Sequence, residues 1–188
     1  MKRKLWIILG MFGLIATSTW VFGDDGERHT TWLTRLWREA RLDVAPANDV
    51  LYRAECGSCH FAYQPGLLPV RSWEEIMKRL DDHFGESAEL DVRSSAEITR
   101  YLTANAADRV DYKRSKRFAA AAATAEPTLR ITATRYFLHK HDEIPQWVLE
   151  QGERPLKLFQ CDICHTEADK GSYDEHQVHI PGLGRWED

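Results

Sequence analysis

The 188-residue chain is poor in sulfur, with four cysteines and three methionines. The cysteines stand as two pairs, Cys56 with Cys59 and Cys161 with Cys164, so none is left over for a disulfide or a lone thiol. No strand-like alternation flanks either pair, which argues against the βαβ setting of a thioredoxin-like dithiol. About half the chain separates the pairs, whereas a zinc site draws its four ligands from pairs a short distance apart. Basic residues are also in deficit, 25 Lys and Arg against 29 Asp and Glu for a net charge of −4. That balance argues against nucleic acid as a partner, because such binding rests on a positive field.

What the chain does contain is one pentapeptide pattern, twice: Cys56-Gly57-Ser58-Cys59-His60 and Cys161-Asp162-Ile163-Cys164-His165. The Cys-x-x-Cys-His pattern attaches haem covalently. Positions i, i+3 and i+4 share one face of a helical turn, so two thiols meet the two vinyl groups while the adjacent imidazole reaches the iron. Cys56, Cys59, Cys161 and Cys164 are therefore the expected attachment residues of two c-type haems. His60 and His165 are the expected proximal iron ligands.

The chain opens with Lys2, Arg3 and Lys4, then an apolar run over residues 5–22, and its first acid is Asp24. A basic start, an apolar stretch and a polar exit make residues 1–23 an export signal, with Val21-Phe22-Gly23 as a tolerable cleavage site. The run is nearly as long as the roughly 20 residues that span a bilayer. Trp20 and Phe22 stand where an anchor carries interfacial aromatics, so an uncleaved membrane tether is the alternative. Either way the expected location is the periplasm. Without this segment 22 basic residues face 29 acidic ones, a net charge of −7 that favours docking on basic partners by electrostatic steering.

Hydrophobic spacing predicts a mainly α protein. Residues 24–44 form a helical extension, with a helix over residues 27–42 marked by Trp32 and Leu36, and Leu33 and Trp37, four apart. Asn48 or Asp49 is the expected N-cap of the helix leading into the first motif. After a loop over residues 61–70, Ser72 and Glu75 form a capping box for a helix whose apolar face is Trp73, Ile76, Met77, Leu80 and Phe84 and whose stop is Gly85. His83, seven residues after Ile76, falls on that face. Ser94 and Glu97 form a second capping box, for a helix carrying Ile98, Tyr101 and Leu102. Lys113, Arg114, Lys116 and Arg117 read as solvated linker within residues 111–128, with residues 119–123 helical or linker.

Residues 45–106, with the first motif, the Pro-rich loop and the closing Glu97-Ile98-Thr99-Arg100-Tyr101-Leu102-Thr103, resemble a class I cytochrome c domain. Such domains ordinarily supply a methionine to the iron. Here Met1 and Met11 lie in the leading segment, and Met77 sits mid-helix where methionine usually fills core, so His83 is the better candidate. The stretch Leu129-Arg130-Ile131-Thr132-Ala133-Thr134-Arg135-Tyr136-Phe137, followed by His141-Asp142-Glu143-Ile144-Pro145 and the second motif, extends the likeness. Nearly the whole of the chain after the signal resembles the small periplasmic dihaem cytochromes c of photosynthetic and related bacteria. The resemblance implies a class I-like first haem domain over residues 45–110 and a small irregular α haem domain over residues 129–188. It also implies two axial histidines on each iron, and electron transfer between a membrane b-type cytochrome and a small oxygen-binding monohaem cytochrome.

Six histidines remain as distal candidates: His29, His83, His139, His141, His176 and His179. His139 and His141 diverge by about 200° on a helix, so one at most faces a haem. Phe137 precedes His141 by four and puts it on the aromatic face, and the family pattern selects the same residue. His176 and His179, in a polar tail close to the second motif, are its rivals, and His29 ranks last. Proximity pairs His83 with the first haem and His141 with the second, with a crossed arrangement left open. Trp73, Tyr101, Tyr136, Phe137 and Trp147 are the expected porphyrin shields. Two axial imidazoles leave no open coordination position, and they lower the reduction potential relative to Met/His ligation. The expectation is a low-potential electron carrier and not an enzyme. The alternatives are a peroxidase or nitrogen-oxide reductase, or a gas-binding sensor, each of which needs an open iron.

Overall fold

Asp49 opens the first helix, α1 (Val50–Cys56), by accepting the Tyr52 amide at 2.8 Å. A side-chain acceptor at this position satisfies one of the donors that a helix start leaves free. The helix stops at Gly57, so the first cysteine is its last residue. Tyr52 is buried, and its hydroxyl donates to the Tyr63 carbonyl at 2.7 Å, tying α1 to the loop beyond the motif.

These elements belong to a computed structural model that describes residues 42–151 and 155–186. The export segment, nearly all of the helix expected over residues 27–42, and His29 lie outside the described residues. The described residues fall within one compact unit and are mainly helical.

A single 3₁₀ turn, Pro65–Leu67, leads into α2 (Val70–Met77). The expected capping box at Ser72 is not used. The helix begins two residues earlier, with the Pro69 carbonyl accepting the Ser72 and Trp73 amides at 3.0 and 3.2 Å. Ser72 is fully buried inside the first turn, where its hydroxyl has no partner, and Pro69 supplies the fixed extended entry. The same correction applies to α3 (Val92–Ala104). Asp91, not Ser94, is its cap, accepting the Arg93 and Ser94 amides at 2.9 and 3.1 Å. An ionised carboxylate at a helix start is a stronger acceptor than a hydroxyl and is favoured by the helix dipole. Helices α2 and α3 pack together, burying Trp73, Ile76 and Met77 against Ile98 and Leu102.

Helix α2 was expected to continue to Gly85, and it ends at Met77. A 3₁₀ turn, Leu80–Asp82, follows, and the loop takes the backbone groups a longer helix would need. Ala88 donates to the Leu80 carbonyl at 2.7 Å, and the Asp82 carboxylate accepts the Gly85 amide at 3.1 Å.

The basic run is not solvated linker. It forms α4 (Lys113–Ala121), which buries Ser115 and Phe118 and packs on the Pro65–Leu67 turn. A Cβ at Gly66 would lie 2.6 Å from Ser115 Oγ and 2.7 Å from Val44 Cγ2, so only glycine permits this approach. Arg71 closes the C-terminal end of α4, its guanidinium donating to the carbonyls of Ala122 at 2.9 Å and of Thr124.

The second half is built from short pieces: a 3₁₀ turn at Ile131–Ala133, α5 (Arg135–Lys140), α6 (Gln146–Glu150) and α7 (Cys161–Cys164). Two 3₁₀ turns, Ala168–Lys170 and Glu175–Gln177, precede a small antiparallel hairpin of β1 (His179–Ile180) and β2 (Gly184–Arg185), with His179 opposite Arg185. Gly171 joins the two halves. Its φ is +80°, its carbonyl accepts the Asp43 and Val44 amides at 3.0 and 3.2 Å, and a Cβ there would lie 2.1 Å from the Val44 carbonyl oxygen.

Ile98 is completely buried between α3 and α2. Ile98→Ala is expected to cost about 2–5 kcal/mol, because the cavity left behind adds to the lost transfer energy. Val92→Ala, on the same helix but exposed, should stay within about 0.5 kcal/mol. Guanidinium unfolding of the haem-loaded protein measures both.

Candidate haem sites

His60 directly follows Cys59, and its Nδ1 lies 2.8 Å from the Phe61 carbonyl. A carbonyl only accepts, so Nδ1 carries the proton and Nε2 is left as a free lone pair for a metal. His83 is presented not by a helix but by a tight turn: its amide donates to the Glu86 carbonyl at 2.7 Å, and the Glu86 amide returns at 3.4 Å. Phe84 and Gly85 make that turn with φ of +60° and +102°. For a bulky residue such as Phe84 this left-handed conformation stores on the order of 1–3 kcal/mol, the kind of strain that collects at functional sites. The rings of His60 and His83 face one another, 6.2 Å between centroids and 16° between planes. A cleft of about 270 Å³ lies beside His83, lined also by Ile76, Arg79, Phe84 and Leu129. Burial lowers the His83 pKa, helped by the nearby His60 and Arg130, so its imidazole is held neutral.

The second site repeats the arrangement with different supports. His165 follows Cys164 at the end of α7 and is bridged through its backbone to Val178. Burial pushes its pKa down to about 4, with His141 and Arg114 lowering it further and Asp43 opposing. His141 stands at the end of α5, its Nδ1–H donating to the Phe137 carbonyl at 2.8 Å and its ring stacked 3.9 Å from that of Phe137. Burial lowers its pKa as well. The rings of His141 and His165 lie 6.1 Å apart, at 72°. His139 points away, 79 % exposed at its side chain and 3.6 Å from Asp142. His176 and His179 are exposed on the tail, and Met77 lies in the core between α2 and α3.

These distances test whether a haem iron fits. A metal–imidazole bond of about 2.0 Å plus roughly 1.1 Å from nitrogen to ring centre, taken twice, separates two axial rings by about 6.2 Å. Both pairs match. The His165 Nδ1 is buried with no hydrogen-bond partner, a demand that side chains alone leave unmet. None of the four cysteines forms a disulfide, so all four are available for haem attachment. Among the described residues no group of three or more His, Cys, Asp or Glu converges as a metal site. Each site thus offers two thiols and two imidazoles close together, a donor set that fits a covalently attached haem.

Three residues that sequence reasoning passed over connect the sites. The Tyr63 ring lies 5.0 Å from that of His60, and its hydroxyl donates to the Phe159 carbonyl, two residues before Cys161, at 2.6 Å. Gln64, fully buried, donates to the Ala168 carbonyl and accepts from the Tyr173 hydroxyl at 2.6 Å. Tyr173 in turn lies 5.1 Å from the His165 ring. Of the aromatics expected around the haems, Phe137 stacks on the His141 imidazole. Trp73 bonds to the Pro65 carbonyl, Tyr101 packs on Tyr52, Tyr136 packs on Phe118, and Trp147 is 58 % exposed.

A helical protein with two Cys-x-x-Cys-His anchors, each beside a close pair of imidazoles, is a c-type cytochrome with two haems. The family model for dihaem cytochrome c matches residues 52–173, and the chain belongs to that family. Solved structures agree. The dihaem cytochrome c of Shewanella baltica OS155 is 38 % identical, with 73 % of this chain and 97 % of that one covered and a TM-score of 0.60. The dihaem cytochrome c of Rhodobacter sphaeroides is 39 % identical, with 69 % and 100 % covered and a TM-score of 0.60. A second structure of the Rhodobacter sphaeroides protein gives 38 % identity, 68 % and 99 % coverage and a TM-score of 0.53. No curated protein matches. The chain carries two covalently bound c-type haems, at Cys56 and Cys59 and at Cys161 and Cys164, and family membership gives it an electron-transfer role.

Replacing Cys161 and Cys164 together by serine should reduce the covalent haem content from two per chain to one, read from the haemochrome spectrum of denatured protein. Gln64→Leu leaves the Tyr173 hydroxyl and the Ala168 carbonyl buried without their partner. It should cost about 1–3 kcal/mol of stability without changing haem content.

Proposed function

We propose that this protein is an exported, low-potential electron relay in which each iron is held between two imidazoles, His60 with His83 and His141 with His165. The observation that carries the reading is the pair of ring separations, 6.2 and 6.1 Å, each the span of one metal with two axial imidazoles. The haems supply reversible one-electron iron chemistry when bound. The chain's own residues hold and orient the ligands. The Phe61 and Phe137 carbonyls fix the tautomers of His60 and His141, and burial keeps His83, His141 and His165 neutral. With both axial positions filled by protein, exogenous ligands are kept off and transfer is outer-sphere. Imidazole in place of thioether keeps the potentials low.

The first site is organised like a class I cytochrome c domain, with its attachment motif at a helix end and a Pro-rich loop beyond it. The second is a smaller irregular unit. The basic and apolar start of the chain supports export to the periplasm, with a membrane tether if residues 1–23 are retained. Resemblance to the family supports a membrane b-type cytochrome as donor and a small monohaem cytochrome as acceptor. The net charge of −7 beyond residue 23 suits docking on basic partner surfaces.

One observation favours the gas-binding alternative: His83 sits on a strained turn rather than on a helix. The optical spectrum of the reduced, haem-loaded protein before and after carbon monoxide decides. A low-spin spectrum that carbon monoxide does not change is expected, and a shift of one haem's bands would sink the relay reading in favour of an open iron. His83→Ala and His141→Ala should each make one of the two haems carbon monoxide-reactive.

A further inference from the structure

We infer that Arg114 is the potential-setting residue of the second haem, a fixed positive charge that holds that haem's reduction potential above the value two imidazoles alone would give. The inference rests on the dihaem, two-imidazole reading above. Of the basic side chains between residues 113 and 117, Lys113, Lys116 and Arg117 are exposed, and only Arg114 turns inward, 19 % exposed at its side chain.

Arg114 sits where the two segments carrying the second imidazole pair meet. Its Nη1 donates to the Tyr136 hydroxyl at 3.0 Å, and Tyr136 adjoins Phe137, on which His141 stacks. Its Nη2 donates to the Tyr173 carbonyl at 3.0 Å, and the guanidinium carbon lies 5.6 Å from the centre of the Tyr173 ring, the ring that contacts His165. The Nε is buried without a partner, so the guanidinium keeps one donor unused at the site.

Asp43 is its counter-charge, 3.3 Å from Nη2, and its other carboxylate oxygen accepts the Tyr173 amide at 2.8 Å. Ferric iron carries one more positive charge than ferrous iron, so a nearby fixed cation disfavours the oxidised state and raises the potential. In a partly buried setting that effect is screened less than it is at the surface. Asp43 acts with the opposite sign.

The test is a redox titration, followed in the visible spectrum, of the haem-loaded wild type and the variants Arg114→Gln, Arg114→Lys and Asp43→Asn. Carbon monoxide reactivity is checked on each. Arg114→Gln should lower one of the two potentials by several-fold in the one-electron equilibrium constant, on a scale of 59 mV per tenfold. Arg114→Lys should recover most of that shift, and Asp43→Asn should move the same potential upward while the other stays in place. Opposite signs are the signature, because mere loosening of the fold moves both variants the same way. Shifts of one sign, shifts of both potentials equally, or no shift would overturn the inference. Should Arg114→Gln fail to load two haems, the sign of the Asp43→Asn shift decides by itself. Carbon monoxide binding by the wild type overturns the two-imidazole reading instead, and is seen separately.

Discussion

The constraint that organises this molecule is a distance, that between two imidazoles brought close together from segments that are not neighbours in the chain. In the first site 23 positions separate His60 from His83, in the second 24 separate His141 from His165, and the ring separations agree to within 0.1 Å. Each proximal ring is located by its attachment motif. The ring opposite it is placed by its own device, a strained turn for His83 and a helix end with an aromatic stack for His141. Two different local structures arrive at one ring separation.

The protein around these pairs does two further things. It lowers the proton affinity of three of the four imidazoles, mainly by burial, which favours their neutral, metal-binding form. It also couples the two sites mechanically. Tyr63 reaches from His60 to the carbonyl before Cys161, and Gln64 joins the Ala168 carbonyl to the Tyr173 hydroxyl. Asp43 and Val44 add a backbone strap to Gly171. A buried glutamine with both ends satisfied fixes one arrangement, since any slip leaves polar groups unpaired at a cost of about 1–3 kcal/mol each. The sites are accordingly set within one packed body rather than on independent lobes.

Chain chemistry that looks generic from composition acquires a role through this packing. The run from Lys113 to Arg117 has the pattern of solvated linker, yet α4 sets Ser115 and Phe118 into the core and turns Arg114 toward Tyr136 and Tyr173. The helical periodicity that separates these faces is short and is interrupted by charge, so it offers little hydrophobic pattern to read. The caps tell a similar story. Ser72 and Ser94 both satisfy a capping-box pattern, and both lose to the residue three before, Pro69 through its rigid backbone and Asp91 through its charge.

What the sequence determined by itself is chemistry carried by local spacing: two covalent haem anchors and their adjacent imidazoles, which need only one helical turn each. The helical character also follows from it, as does a cap at Asn48 or Asp49, of which the structure uses Asp49, and so does the outward turn of His139 against the inward turn of His141, because four-residue spacing sets a helix face. Tertiary structure alone decided that His83 arrives on a turn, since α2 ends at Met77 and the chain beyond it is held by the bond from the Ala88 amide to the Leu80 carbonyl. It alone decided the roles of Tyr63, Gln64, Arg114 and Tyr173. Their partners lie tens of residues away, and no local pattern encodes a contact between groups that only packing brings within 3 Å.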